Sequence, residues 1–98
     1  MILHIVSESP FAHDCLEQCL ACMGERDGLL LVNEGVYALA SEERCQAIKT
    51  LGDRCFALEQ DVVARGLSTD SVPNLQLVDY PQWVELVVRY EKSVSWYA

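Results

Sequence analysis

The sequence predicts an α/β fold, a small three-layer domain in which a mostly parallel central sheet is flanked by helices. Short, continuously apolar runs alternate with helical patterns along the 98 residues, and runs of that kind are typical of strands buried on both faces. Helices between consecutive strands supply the crossovers that parallel pairing needs. At this length we expect one domain spanning residues 1–98.

The amino-terminal part of the chain predicts a strand, a loop and a helix. Ile2–Val6 is a short apolar run that favours a strand. Ser9 is a candidate N-cap and Pro10 suits the first helical position. A helix is therefore expected over Phe11–Gly24.

The central part predicts a buried strand and a second helix. Leu29–Val32 is apolar throughout and follows a turn, so it is interpreted as a buried strand. Val36–Leu39 predicts a further short extended segment. Acidic residues directly after Ser41 favour the start of a helix, which should end near Leu51.

The remaining strands predict where functional residues gather. Cys55–Leu58 predicts a third strand, Glu59–Arg65 one or two helical turns ending at Gly66, and Leu75–Val78 a fourth strand. In parallel sheets, sites form beyond the carboxyl ends of the strands. Those ends are Ser7–Phe11, Asn33–Gly35, Glu59–Asp61 and Asp79–Pro81.

The predicted last helix, Pro81–Glu91, has an unusually broad apolar surface. One stripe has helical spacing, and Val84 and Val88 widen it around the helix. Such a helix is either thoroughly buried or partly exposed for a partner. The candidate interface residues are Trp83, Val84, Val88 and, near the carboxyl end, Trp96.

Charge and composition argue against several function classes. The net charge is −8, with seven Lys and Arg residues against fifteen Asp and Glu, whereas nucleic-acid binding relies on clustered cations. No run approaches the roughly 18 apolar residues that span a bilayer, and Met1–Val6 does not have the pattern of a secretion signal. We therefore expect a cytoplasmic protein with reduced thiols that binds neither membranes nor RNA directly.

Cys15, Cys19 and Cys22 lie at i, i+4 and i+7 of the first predicted helix. Ligation of an iron–sulfur cluster is disfavoured because the interleaved apolar residues give a regular helical pattern. A dithiol pair is disfavoured because such pairs act at helix N-termini. Packing in the core and single-thiol persulfide carriage remain. Cys19 is the candidate carrier, with His13 and Ser9 as supporting residues.

The other chemistry-bearing residues favour structural roles. Cys45 and Cys55 are expected in the core. His4, in the middle of a strand, is interpreted as a structural histidine, with a general base or a switch as the alternative. The sequence has no pattern that predicts a metal or cofactor site.

Short segments spread across nearly the whole chain carry a resemblance to a known family. They are Leu3-His4, Ser9-Pro10-Phe11, Leu16-Glu17-Gln18-Cys19, Leu29-Leu30-Leu31, Glu34-Gly35-Val36-Tyr37-Ala38, Asp61, Ala64-Arg65-Gly66-Leu67, Val78-Asp79-Tyr80 and Trp96. In this order and spacing, they resemble the DsrH/TusB family of sulfur-relay proteins. The resemblance implies a small α/β subunit that assembles with two homologous subunits, TusC/TusD-like or DsrF/DsrE-like, into a heterohexamer. Self-association of the isolated chain is also expected.

The resemblance implies a role in passing persulfide sulfur towards 2-thiolation of the tRNA wobble uridine, or, in the other branch, in sulfur oxidation. The main sulfur-carrying cysteine belongs to a partner subunit. Cys19 occupies a position where DsrH-like members carry a cysteine, whereas Cys15 and Cys22 match no family feature. The chain is thus expected to be an accessory subunit without independent activity. The rivals from other classes are a stand-alone thiol oxidoreductase and a purely structural interaction module.

Overall fold

The computed structural model describes residues 1–97, and five parallel strands form a single sheet within them. The strands are β1 (Ile2–Val6), β2 (Gly28–Leu31), β3 (Cys55–Leu58), β4 (Gln76–Val78) and β5 (Lys92–Trp96), and the α-helices are α1 (Cys15–Cys22), α2 (Glu42–Lys49), α3 (Glu59–Ala64) and α4 (Tyr80–Tyr90). The strand order is β4-β3-β2-β1-β5. The predicted α/β class with a parallel sheet is confirmed.

Helices cover both faces of the sheet, which gives the three layers. On one face, side chains of α1, α2 and α3 pack on residues such as Val6 and Leu31. On the other face α4 packs alone, through Leu86 and Tyr90, against Leu3 and its neighbours. All four residues of β2 and all four of β3 are buried, as expected for strands covered on both sides.

The first helix begins four residues later than the sequence pattern predicted. Asp14 is the N-cap residue and α1 runs over Cys15–Cys22. The Ser9 carbonyl oxygen accepts bonds from the backbone N–H groups of Ala12 and His13, at 3.2 and 3.0 Å, and Ser9 Oγ accepts from Phe11 N–H at 3.2 Å. Ser9 therefore caps an isolated turn, which ends before the helix begins.

The segment after β2 is also different from its prediction. Asn33–Ala40 forms a 3₁₀ helix instead of an extended piece. A Cβ on Gly35 would lie 2.1 Å from the Val6 carbonyl oxygen, so only glycine allows the chain to pass this close to the end of β1. The 3₁₀ helix therefore lies directly against the carboxyl end of β1.

The strand β5 is an element that the sequence pattern did not reveal. It pairs in parallel with β1, and His4 lies opposite Val94 while Val6 lies opposite Trp96. Trp96, predicted as an interface residue, is half-buried and packs against the buried residues on the face of the sheet that α1, α2 and α3 cover. Its indole Nε1–H donates to His4 Nδ1 at 3.0 Å. Trp96 therefore fastens the last strand to the first.

Candidate functional site

The helix α1 distributes its three thiols between core and solvent. Cys19 is fully buried and Cys15 is 7% exposed, and both face the sheet with Leu16. Cys22, at the last helical position, is exposed. The three thiols therefore do not share one environment, although they were predicted on one helical face. Cys22 is the one of the three that solvent can reach.

The surroundings of the two buried thiols suppress thiolate formation. Burial is the main cause that raises the pKa of Cys19 to about 12, and Cys22, Asp27 and Cys15 raise it further. At a pKa of about 12, roughly one Cys19 thiol in 100,000 is ionised at neutral pH. The thiolate is the form of cysteine that acts as a nucleophile, so we expect Cys19 to be unreactive in the isolated chain.

Cys15 occupies the first position of α1, where a helix dipole ordinarily favours a thiolate. Here burial, followed by the negative charges of Glu8 and Asp14, raises the pKa of Cys15, and the bond from its own backbone N–H lowers it only in part. Burial, together with these nearby carboxylates, therefore outweighs the advantage that the helix position gives the Cys15 thiolate.

The predicted supporting residues do not meet Cys19. His13 is exposed, and its Nε2 lies 3.6 Å from Glu8 Oε2. Ser9 is engaged in the turn that precedes α1. Over residues 1–97, neither His13 nor Ser9 has a side-chain hydrogen bond to a cysteine. The predicted constellation of Cys19, His13 and Ser9 is not assembled in this structure.

The other two thiols, Cys45 and Cys55, are buried and hydrogen-bonded to backbone carbonyl oxygens. Cys45 Sγ donates to the carbonyl oxygens of Ala38 and Leu39 at 3.7 and 3.5 Å, and Cys55 Sγ donates to Gly52 O at 3.5 Å. Burial raises the pKa of Cys55 to about 11 and also raises that of Cys45. Across the described residues, no three His, Cys, Asp or Glu side chains are placed to hold a metal ion.

A polar network closes the carboxyl end of the sheet. Asp61 Oδ2 accepts from the backbone N–H of Asn33 at 2.7 Å, and Arg65 Nη1 lies 3.3 Å from Asp61 Oδ1. The Arg65 guanidinium lies over the Tyr37 ring at 5.5 Å. These contacts stabilise the positive φ of 48° at Asn33. Two segments that are far apart in sequence, 33–37 and 61–65, thus contact each other here, and their contacts stabilise the fold.

A second polar network, which sequence patterns did not reveal, lies at the opposite end of the sheet. His4 Nε2 and Asp27 Oδ2 are 2.9 Å apart and both residues are buried. Because His4 Nδ1 accepts the hydrogen bond from Trp96 Nε1–H, the ring proton lies on Nε2, which donates a hydrogen bond to Asp27 Oδ2. The carboxylate also accepts from the N–H groups of Ile2 and Gly24, each at 2.9 Å. His4 is therefore a hydrogen-bonded structural residue.

The helix α4 carries several exposed apolar side chains, as the breadth of its pattern suggested. We define the α4 patch as Tyr80, Trp83, Val84, Val87 and Val88. Val84 and Val88 are 64% and 72% exposed, and the rings of Tyr80 and Trp83 stack with centroids 6.0 Å apart. Beside it, a cleft of about 410 Å³ separates α3 from the start of α4. Contiguous exposed apolar side chains mark sites of interaction.

Comparison with known proteins assigns the family. The family model described as "DsrH like protein" matches residues 8–93. The chain belongs to the DsrH family. Relatives named "Protein TusB" in Yersinia pestis (strain Pestoides F) and Yersinia pseudotuberculosis serotype O:1b (strain IP 31758) are each 33% identical over 96 residues, covering 97% of this chain and 100% of the relative. The predicted DsrH/TusB membership is confirmed.

This chain also resembles a solved structure, the solution NMR structure of protein Tm0979 from Thermotoga maritima. The TM-score is 0.65 at 24% identity, and the match covers 94% of this chain and 97% of the other. This likeness supports the fold. Within residues 1–97, no helix combines the length and the apolar character needed to cross a membrane.

Proposed function

We propose that this protein is a docking subunit of a cytoplasmic sulfur-relay complex that passes persulfide sulfur towards 2-thiolation of the tRNA wobble uridine. Its role is to assemble with two homologous subunits, TusC/TusD-like, in a heterohexamer. Membership of the DsrH family, together with TusB relatives that match nearly the whole chain, supports a sulfur-relay role. The single observation that carries the docking role is the exposed α4 patch.

The chemistry of the thiols favours docking over sulfur carriage. Cys19 is fully buried, and burial raises its pKa to about 12. A carrier thiol must reach a donor protein and react as the thiolate. The same surroundings argue against a stand-alone thiol oxidoreductase. We therefore assign Cys19 to core packing and place the sulfur-carrying cysteine on a partner subunit.

A relay that serves sulfur oxidation is the second candidate, with DsrF/DsrE-like partners. It is favoured by the match to the DsrH family model and by the presence of Cys19. Genes for dissimilatory sulfite reductase beside the gene for this chain would support sulfur oxidation. Their absence, together with loss of 2-thiouridine when the gene is deleted, would support tRNA modification.

The docking role is tested by co-expression with the two homologous subunits. The variant pair Val84→Arg and Val88→Arg places two charges on the α4 patch without touching the core, because both side chains are exposed. The matched control, Ala47→Arg, places the same residue on an exposed position of α2. We expect co-purification to be lost for the double variant only. If the wild type, the double variant and the control all assembled equally well with the two subunits, the proposal would be contradicted.

The packing role of Cys19 needs its own measurement. After the assembled complex is incubated with a cysteine desulfurase and its sulfur carrier, intact mass should show added sulfur on a partner and none on Cys19. Cys19→Ala should keep tRNA thiolation near the wild-type level. Dithiothreitol-removable sulfur on this subunit, abolished by Cys19→Ala, would restore the carrier role.

Direct binding of tRNA by this chain is not part of the proposal. Seven cations stand against fifteen acidic residues, and counterion release from phosphates requires clustered positive charge. In an electrophoretic mobility assay at physiological salt, the isolated chain should leave tRNA unshifted. A tight, salt-sensitive complex would overturn this part.

A further inference from the structure

Trp96 is the residue of β5 whose side chain packs into the interior. Residues Lys92–Ser95 are exposed, whereas Trp96 is half-buried and packs among the buried residues on the face of the sheet that carries α1. Its Nε1–H donates to His4 Nδ1 at 3.0 Å, and the centroids of the two rings lie 6.1 Å apart. Beside the backbone pairing with β1, the contact between indole and imidazole therefore holds the carboxyl end of β5 in place.

The acceptor in this contact exists only while the His4 ring is neutral. Histidine is the side chain that ordinarily changes charge between about pH 5 and 8, and a protonated imidazole carries N–H groups on both nitrogens and has no acceptor. A proton on Nδ1 would face the indole N–H of Trp96 at a residue that is only 4% exposed. Two buried donors that face each other without an acceptor are unfavourable. One added proton therefore removes the contact.

The Asp27 carboxylate can stabilise the protonated ring. Asp27 Oδ2 lies 2.9 Å from His4 Nε2, so protonation turns a neutral hydrogen bond into a buried ion pair. Burial raises the pKa of Asp27, but hydrogen bonds from Gly24 N–H, His4 and Ile2 N–H outweigh burial and hold that pKa at about 2. Asp27 is therefore ionised throughout the range in which imidazoles titrate. A charged His4 keeps its bond to Asp27 and loses the one to Trp96.

The other titratable groups around the network do not change charge in this range. Burial raises the pKa of Cys19 in α1 to about 12 and also raises the pKa of Tyr90 in α4, so both stay neutral. Arg54, whose Nη1 donates to the Asp27 carbonyl oxygen at 2.7 Å, stays cationic. Further charged groups near the starts of the strands belong to exposed residues, namely Met1, Glu25, Arg26, Asp53, Glu91 and Lys92. His4 is thus the buried group in this network whose charge responds to pH.

We propose that the contact between Trp96 and His4 is a pH-sensitive switch, in which protonation of His4 frees the indole and opens the carboxyl end of β5 while β1 stays in the core. This is the switch role that the sequence left open for His4. The strand β5 suits such local opening because four of its five residues are exposed and elements with few buried contacts open at low free energy. The inference is independent of the proposed sulfur-relay role.

NMR spectroscopy of the wild-type chain between about pH 8 and 5 tests the proposal without any substitution. The ring signals of His4 report its protonation, and the indole N–H signal of Trp96 reports the contact. We expect the indole signal to shift along the titration of His4. The protection factors of the β5 amides, corrected for intrinsic exchange, should fall about fivefold or more as the contact is lost. Far-UV circular dichroism should stay unchanged, because the rest of the sheet remains folded.

Three variants separate this contact from general effects of acid. His4→Gln has an amide that cannot be protonated in this range, and Trp96→Phe has no N–H donor, so in both the protection of β5 should no longer depend on pH. The matched control His13→Gln, at the exposed second histidine, should respond like the wild type. The proposal would be overturned by wild-type protection that stays constant while His4 titrates, by an equal fall in Trp96→Phe or His4→Gln, or by a His4 that titrates only as the whole chain unfolds.

Discussion

The buried Asp27 carboxylate provides a stability test whose magnitude follows from its hydrogen bonds. Burial alone would raise its pKa, but bonds from Gly24 N–H, His4 and Ile2 N–H outweigh burial and lower the pKa from 3.8 to about 2. That difference corresponds to about 2.4 kcal/mol of folding free energy, at about 1.36 kcal/mol per pKa unit.

The sign of the effect sets the pH range of the experiment. Because the folded-state pKa of Asp27 lies below its ordinary value of 3.8, the stabilisation is complete above roughly pH 5 and is lost as the pH falls towards about 2. Asp27→Asn removes the charge and turns one oxygen into a donor that faces other donors. It should cost about 2–3 kcal/mol at neutral pH.

Urea unfolding followed by circular dichroism at several pH values between neutral and 3 measures both quantities. The difference in unfolding free energy between wild type and Asp27→Asn should shrink as the pH falls. Asp70→Asn, at an exposed position, is the control and should unfold like the wild type. A stability gap that is absent at neutral pH, or that stays constant into acid, would refute the role assigned to the Asp27 hydrogen bonds.

Three further outcomes are expected. A thiol reagent should modify one cysteine rapidly in the native chain, Cys22, because the other four are buried; a rapid phase that survives Cys22→Ser would contradict this. Gly35→Ala should destabilise the fold by about 3 kcal/mol, since the new Cβ would lie 2.1 Å from Val6 O. Gly66→Ala should cost only about 1 kcal/mol, because Gly66 has a φ of 62° but open space around it. Urea titrations that show the larger loss of stability for Gly66→Ala would refute this steric argument. Trp96→Phe should cost about 1 kcal/mol through the lost bond to His4 and speed amide exchange in β5; unchanged exchange would count against the fastening role.

Local signals in the sequence were sufficient where one residue or one run decides the element. Cys55–Leu58 forms a strand with the predicted bounds, and its four consecutive apolar residues are all buried, as is typical of a strand covered on both faces. Ser41 caps α2 as predicted, and its Oγ accepts from Arg44 N–H at 3.3 Å. The cap depends on contacts within a few residues, whereas the strand also pairs with β2 and β4, so there the apolar run was a sufficient signal for long-range burial.

The sequence pattern failed where distant contacts decide. Ser9 and Pro10 have the signature of a helix start, yet the turn they form stops and Asp14 begins the helix. The alternation in Lys92–Trp96 is too short and too polar to predict a strand without knowing that β1 lies beside it. The burial of Cys19 and the exposure of Cys22 depend on how α1 sits on the sheet, which helical spacing alone does not determine.

The pairing of β1 with β5 has a consequence for how the protein is made. Residues 2–6 pair with residues 92–96, so β1 leaves the ribosome well before β5, and its second side stays uncovered until β5 has been made. Until then, β1 is a bare edge and His4 lacks the indole donor. Contacts between such distant segments slow folding. A nascent chain halted before residue 92 should therefore expose a β1 edge that chaperones or other chains can engage.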